Sequence, residues 1–292
     1  MNIWRDIAAG IATHSGEAFE AREPQGLAGG CINSAFRLSD GRRTFFVKTN
    51  RADRLDMFEA EAAGLNLLAD SATLRVPRAL FTGAGDGLSY IVMEHVALGH
   101  GSSQGWRLAG EQLAAMHGQQ AEAFGWDRDN TIGATPQRND WTSDWIEFWR
   151  VHRLGRQLEI AAANGHLGQL QRLGERLMAR FAVLIDHAPS PSLLHGDLWG
   201  GNMAFTDDGD PVIYDPATYY GDREADLAMT ELFGGFSPDF YAAYRDAWPL
   251  EPGYETRRTL YNLYHILNHL NLFGGGYGGQ AQRMMERLLA EC

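Results

Sequence analysis

Between Leu193 and Asp215 the chain carries two short apolar runs, and each delivers an acid into a turn. Leu193-Leu194 reads as the end of a buried strand and leads into His195-Gly196-Asp197-Leu198-Trp199-Gly200-Gly201-Asn202. Pro211-Val212-Ile213-Tyr214 then leads to Asp215. Two strands ending at one place bring a carboxylate, an amide and a second carboxylate into one pocket. Phosphoryl transfer from ATP needs that set: one group to hold the acceptor hydroxyl, and oxygen ligands for Mg²⁺. Asp197 is the expected base, with Asn202 and Asp215 the expected metal ligands. The competing reading is an ordinary turn, in which Asp, Asn and Gly bond only backbone.

A second feature concerns charge. Of the 25 basic residues, Lys48 is the only lysine. Arg is a wide planar fork, whereas Lys is a compact charge on a flexible stem. A site that sets one point charge on a phosphate oxygen favours Lys, and Lys48 stands where such a site is expected. Gln25 to Leu38 reads as a hairpin around Ala28-Gly29-Gly30-Cys31, and glycines there let backbone N–H groups lie close to phosphate. Thr44 to Lys48 is the third strand, with Lys48 at its end. A helix over 55–69 follows, with Leu55, Phe58, Ala62, Leu65 and Leu68 as its apolar stripe. At about 100° per residue, Glu61 lies roughly 60° from Phe58, beside that stripe. Glu61 is therefore the expected partner of Lys48, with Glu59 the second choice.

Residues 79–81 and 88–93 read as two more strands. Met93-Glu94-His95-Val96 follows them either as an ordinary strand-to-loop exit or, in a two-lobed kinase, as the connector whose main chain meets adenine, and on the second reading a domain boundary is expected near residue 95. Beyond it the pattern is mainly helical. Helices are expected at 3–20, 106–117, 140–163, 169–187 and 256–273, and a polar, Gly- and Pro-containing loop at 124–139. Trp141, Trp145, Phe148 and His152 share one face of the 140–163 helix, which borders an acceptor pocket or simply packs. Asp222 is placed to cap the helix that continues to Phe233, and Asp226 to brace the Asp197 loop through backbone N–H groups. His265 and His269 stand one helical turn apart without a third ligand, which favours core or cleft-lining roles over metal.

The bulk properties narrow the class. The chain has 292 residues, 45% of them hydrophobic, and a net charge of −12 without a basic block. That argues against nucleic-acid binding, which depends on cationic patches. No apolar run has membrane-spanning length and no signal-peptide pattern is present, so a cytoplasmic protein with no membrane partner is expected. The two cysteines, Cys31 and Cys292, exclude a disulfide scaffold. Cys31 in a nucleotide loop is a redox candidate, because surrounding N–H groups lower a thiol's pKa.

Taken together, His195-Gly196-Asp197-Leu198-Trp199-Gly200-Gly201-Asn202 and Tyr214-Asp215-Pro216 resemble the fructosamine-3-kinase (ketosamine kinase) family. Gly29-Gly30-Cys31-Ile32, Phe46-Val47-Lys48, Met57-Phe58-Glu59-Ala60-Glu61, Val92-Met93-Glu94-His95, Asp144-Trp145, Phe233-Gly234-Gly235-Phe236 and Asn268-His269 extend the resemblance over almost the whole chain. The Trp199-Gly200-Gly201 insert separates it from the broader aminoglycoside and choline kinases. The resemblance implies an α+β, two-lobed protein-kinase-like fold. Residues 1–95 would form an N-lobe with an antiparallel five-stranded sheet plus helix, and residues 96–292 a mostly helical C-lobe. It also implies ATP- and Mg²⁺-dependent phosphorylation of the 3-hydroxyl of a free or protein-bound ketosamine, built on ribulose, erythrulose or fructose, and thereby deglycation. Gly29, Gly30, Lys48, Glu61, Met93, Glu94, His95 and Val96 then serve the nucleotide, and Trp199, Trp145 and His269 the acceptor. The chain is expected to be a monomer or a homodimer. The alternatives are a kinase for another small hydroxylated amine and a non-catalytic nucleotide-binding module.

Overall fold

The computed structural model describes residues 3–27, 32–234 and 236–292. Helix α1 (Ile3–Ser15) precedes strands β1 (Gln25–Leu27), β2 (Ser34–Ser39) and β3 (Thr44–Arg51). Helix α2 (Leu55–Asp70) and the hairpin of β4 (Ala79–Gly85) and β5 (Leu88–Glu94) complete an antiparallel sheet of order β1-β2-β3-β5-β4. The two-residue period of a strand sorts the faces of this sheet. Val47, Tyr90 and Val92 pack with Ile3, Ile7 and Ile11 of α1. Ile91 and Met93 pack instead with Phe58, Leu65 and Leu68 of α2. Lys48 follows Val47 and so points toward α2. The expected five-stranded sheet and helix are present, with three adjustments: α1 stops at Ser15, where Gly16 turns left-handed, β3 continues past Lys48 to Arg51, and β4 continues past Phe81 to Gly85.

After β5 the short strand β6 (Leu98–Gly99) precedes α3 (Ser103–His117) and a small hairpin of β7 (Asn130–Ile132) and β8 (Thr135–Gln137). Helix α4 (Trp145–Phe148), a π-helical segment (Trp149–Gly155) and α5 (Arg156–Ala163) form one continuous rod, and α6 (Gln169–Arg180) follows. Strands β9 (Ser192–Leu194), β10 (Met203–Thr206), β11 (Pro211–Ile213) and β12 (Tyr219–Gly221) then carry the Asp197 and Asp215 turns. Helices α7 (Glu224–Leu232), α8 (Pro238–Ala247), α9 (Tyr254–Phe273) and α10 (Tyr277–Ala290) complete the chain. Strand β10 pairs with both β11 and β6, and β9 pairs with β12.

Three sequence expectations give way here. The polar stretch 124–139 is not wholly loop, because its amides are buried rather than solvated. Asn130 Nδ2 donates to Thr218 O (2.8 Å), and Gln137 Nε2 donates to Ala217 O (3.1 Å). The helix expected from Asp140 starts at Trp145, where the Asp144 carboxylate accepts from the N–H groups of Ile146 and Glu147. The helix expected to reach His187 ends at Arg180 and continues only as a 3₁₀ turn, Phe181–Leu184.

The Trp145 side chain, read as a possible acceptor-pocket wall, is a core residue. It is 3% exposed, stacks on Phe148, and donates from Nε1 to the Tyr261 hydroxyl (3.0 Å). Trp149 and Tyr261 pack against it in the same core, and Tyr264 packs on Trp149.

One buried ion pair ties α9 to the start of α7. Arg257, fully buried, donates from Nε and Nη2 to the two oxygens of Glu224 (2.7 and 2.9 Å), and Nη1 meets Asp186. Removing one partner strands a buried charge. Arg257→Ala is therefore expected to cost about 3–5 kcal/mol in urea denaturation. A loss below about 1 kcal/mol would show the pair to be solvated.

Candidate active site

Lys48 is the meeting point of the two halves. Its Nζ donates to Glu61 Oε1 at 2.6 Å and also reaches Asp215 Oδ1. Burial opposes the ammonium charge, but Asp215 and Glu61 outweigh it and hold the lysine protonated well above its ordinary range. Glu59, the second choice, is exposed and lies nearest Arg128.

The Asp197 loop is shaped from behind. Leu193, Leu194 and Leu198 are buried and anchor its two sides. Gly196 sits at φ 82°, and a Cβ there would lie 2.1 Å from Ala217 O, so only glycine fits. Asp215 itself adopts φ 57°, a left-handed conformation rare outside glycine. His195 spans both turns. Its Nδ1 accepts from Asp197 N (3.2 Å), which leaves Nε2 to donate to Tyr214 O (2.9 Å). That pattern fixes the neutral tautomer, and burial lowers the imidazole pKa accordingly.

Asp226 supplies the second brace, as its place on α7 suggested. It accepts from His195 N (2.7 Å) and Gly196 N (2.8 Å), and it lies 3.3 Å from His117 Nε2. His117 in turn meets the Tyr244 hydroxyl at 2.8 Å. This link to α3 and α8 was not legible in the sequence, since neither His117 nor Tyr244 sits in a motif. Asp222 accepts from Glu224 N (3.0 Å) but lies one residue before the N-cap position of α7, which is Arg223, and its other oxygen meets His187 and the Tyr261 hydroxyl.

Asn202 closes the set. Its Nδ2 faces Asp197 O (2.9 Å), Asp197 Oδ2 (3.3 Å) and Asp215 O (3.4 Å). Three acceptors on one side settle the amide orientation. Asn202 Oδ1 and Asp215 Oδ2 have no hydrogen-bond donor among the described residues. Two unengaged hard oxygens on adjacent turns suit a Mg²⁺ ion, which keeps several waters and takes few protein ligands. The Asp197 carboxyl is pushed up to about 7 by burial, then by the charges of Asp215 and Asp226, against the Asn202 hydrogen bond. A carboxylate whose pKa lies near neutrality is suited to general-base work.

The remaining expected positions divide. Met93 is buried under α2, and Glu94 N donates to Arg78 O (2.9 Å), which leaves His95 and Val96 as the connector residues without a strand partner. Gly29, Gly30 and Cys31 lie outside the described residues. Trp199 is 39% exposed, and its ring folds over Gly201, where a Cβ would stand 2.3 Å from it. Its edge meets Phe233 (6.4 Å between centroids), and Phe233 meets His269 (4.7 Å). Trp199, whose N–H donates to Asp197 O (3.1 Å), and His269 thus belong to one aromatic patch. Phe233, its middle member, was noted only within a sequence motif. His265 is buried, and desolvation lowers its pKa to about 3, which keeps the ring neutral.

Comparison with known proteins follows the same lines. A sequence profile described as fructosamine kinase matches residues 3–291. A Synechocystis protein named as a probable ketoamine kinase is 50% identical over 287 residues, 98% of this chain and 97% of that protein. An Arabidopsis thaliana protein named protein-ribulosamine 3-kinase, chloroplastic, is 44% identical over 278 residues, 94% of this chain and 85% of that protein. Among solved structures, a Haemophilus somnus protein assigned by name to the fructosamine-3-kinases superposes with a TM-score of 0.90 at 31% identity, covering 98% of this chain and 97% of that one.

The Asp226 brace has a defined pH signature. Burial works against its charge, but the hydrogen bond and charge of His117, with help from His195 and the Gly196 N–H, hold the carboxyl below its ordinary value. A depressed carboxyl contributes stability that is present above the unfolded value of about 3.9 and lost as pH falls through the folded value. Asp226→Asn should lose about 1–3 kcal/mol at pH 7, because one buried N–H is left without an acceptor. Urea denaturation across pH should show the gap to wild type closing as the medium is acidified below that range. A gap independent of pH would mean that the charge of Asp226 is not what braces the loop.

Proposed function

Because this chain belongs to the fructosamine kinase family, with a protein-kinase-like fold, we propose that it phosphorylates the 3-hydroxyl of ketosamines from ATP and so initiates deglycation. Ribulosamine, erythrulosamine and fructosamine adducts are the candidate acceptors. The strongest support is the convergence on Asp215: the Lys48 ammonium and the Asn202 amide both reach it, and Asn202 also bonds Asp197.

In this reading residues 1–95 hold the nucleotide, and residues 96–292 carry catalysis and the acceptor. Lys48, kept in place by Glu61, pins the ATP phosphates. Adenine rests against the connector, with Met93 below it and the main chain of Glu94 to Val96 alongside. Asn202 Oδ1 and Asp215 Oδ2 would hold Mg²⁺. When bound, the ion would neutralise charge on the β- and γ-phosphate oxygens. Asp197 orients the acceptor hydroxyl and accepts its proton. Trp199 and His269 line the sugar side, where an aromatic face can stack on a sugar ring. Most of the rate then comes from positioning and from charges fixed in advance. Among the described residues no helix is long and apolar enough to cross a membrane, in keeping with a cytoplasmic place of action.

Asp197→Asn is expected to reduce turnover by roughly 10²–10⁴ with ATP binding nearly unchanged, the usual scale for a general base. Normal turnover by that variant would remove the role. Lys48→Arg should also be poorly active, since a planar fork does not replace a point charge between two carboxylates. The reaction itself is tested with Mg·ATP and a ribulosamine, using NMR to locate the phosphate. Transfer to an aminoglycoside or amino alcohol in preference to the ketosamine would overturn the substrate assignment.

A further inference from the structure

Helix α2, which carries Glu61, is seated on both halves of the molecule. Phe58, Leu65 and Leu68 pack under the N-terminal sheet. Ala63 and Leu67 pack against the core of the C-terminal part, which includes Trp126 and Ile132. A Cβ on Gly64 would stand 3.0 Å from Thr218 Oγ1, so the helix lies directly on the segment that follows Asp215. One cation from the C-terminal part completes the seat. Arg128, just ahead of β7, donates from Nη1 to Glu59 O (3.2 Å), and its Nη2 stands 3.9 Å from the Glu59 carboxylate. Its Nε is buried and has no acceptor. An unpaired buried donor is unfavourable, so the surroundings of Arg128 must hold it where it is.

Those surroundings are the buried amides behind the Asp215 turn. Arg128 O accepts from Asn139 Nδ2 (3.1 Å), which also faces Asn130 Oδ1 (3.0 Å). Asn130 Nδ2 donates to Thr218 O (2.8 Å), three residues past Asp215. Arg153, fully buried, fixes Asn139 from its other side, with Nη2 donating to Oδ1 (2.7 Å). Displacing any one of these groups leaves a buried partner unpaired. The two carboxylates on Lys48 are therefore joined twice. Glu61 and Asp215 meet directly through the ammonium. They also meet through α2, Arg128, Asn139, Asn130 and Thr218. Glu59 and Glu61 lie about 200° apart around α2, so Arg128 and Lys48 hold the helix from opposite sides.

We propose that Arg128 is a positioning residue for phosphoryl transfer: it fixes α2 on the C-terminal part, so that Glu61 keeps Lys48 aimed at the nucleotide phosphates. The inference rests on the reading of Lys48 as the phosphate anchor. A phosphate oxygen that takes the place of Asp215 on Lys48 ends the direct link between the two halves. The Arg128 route does not involve the ammonium and persists. Glu61 then stays at Lys48 with nucleotide bound as well as without it. In the absence of the guanidinium, α2 keeps its apolar seats but loses its polar stop, and the pairing of Glu61 with Lys48 loosens. Arg128 acts only through Glu61.

The test uses the fact that Lys48 is the only lysine. Protein made with lysine ¹³C-labelled at Cε shows one side-chain resonance, that of Lys48. In Arg128→Ala it should move from its wild-type position toward its position in Glu61→Gln. In Arg128→Lys it should return, since an ammonium there can donate to the same carbonyl. With a ribulosamine as acceptor, kcat/KM for Mg·ATP should fall about tenfold in Arg128→Ala, the scale of one charge-assisted hydrogen bond. The acceptor KM should not change. In a Glu61→Gln background the same substitution should cost less than about twofold, because groups that act as one unit are not additive. A resonance left at the wild-type position in Arg128→Ala, or an equal fall in both backgrounds, would overturn the proposal and leave Arg128 a role in stability alone. Wild-type kcat/KM for Mg·ATP in Glu61→Gln would overturn the reading of Lys48 and this inference with it. No turnover of any ketosamine by wild type would overturn the substrate reading, while the Lys48 resonance would still decide the role of Arg128.

Discussion

The site depends on a buried ammonium shared by two carboxylates. A lysine removed from water is unfavourable by several kcal/mol unless its charge is compensated at close range. Here Glu61 comes from a helix of the N-terminal part and Asp215 from a turn between two strands far along the chain. The compensation therefore needs both halves in register. Strand alternation sends Lys48 toward α2, the apolar stripe of α2 sets Glu61 beside it, and the left-handed turn at Asp215 brings in the third member. Each condition is local, but they meet only in the assembled fold.

Behind that contact the Asp197 turn is held by polar groups that do not themselves face the cleft. His195 reads one turn with each ring nitrogen, and Asp226 holds two successive N–H groups from α7. The buried amides Asn130 and Gln137 satisfy carbonyls just beyond Asp215. Such fully satisfied networks position side chains tightly because any displacement leaves a buried group unpaired. The Asp197 carboxylate and the Asn202 amide can then be rigid without being packed in hydrocarbon.

The parts of this arrangement legible in the sequence were those governed by short-range periodicity. The angle between Glu61 and Phe58 on a helix selected the right glutamate, and the position of Asp226 on the first turns of α7 pointed to its bonds. What stayed hidden depends on partners distant in sequence. The stretch 124–139 has a loop's composition, yet its amides are buried because Thr218 and Ala217 offer carbonyls from elsewhere in the chain. Trp145 has the chemistry of a sugar platform, but its neighbours Phe148, Trp149 and Tyr261 enclose it. Residue type could not separate it from Trp199, which is left exposed because its ring lies over a glycine.

The most direct measurement is a crystal structure with Mg²⁺, a non-hydrolysable ATP analogue and a ketosamine. The account predicts that Lys48 keeps Glu61 but exchanges Asp215 for a phosphate oxygen. The metal should lie between Asn202 Oδ1 and Asp215, and the sugar 3-hydroxyl on Asp197. A nucleotide bound away from Lys48, or an acceptor hydroxyl out of reach of Asp197, would contradict it.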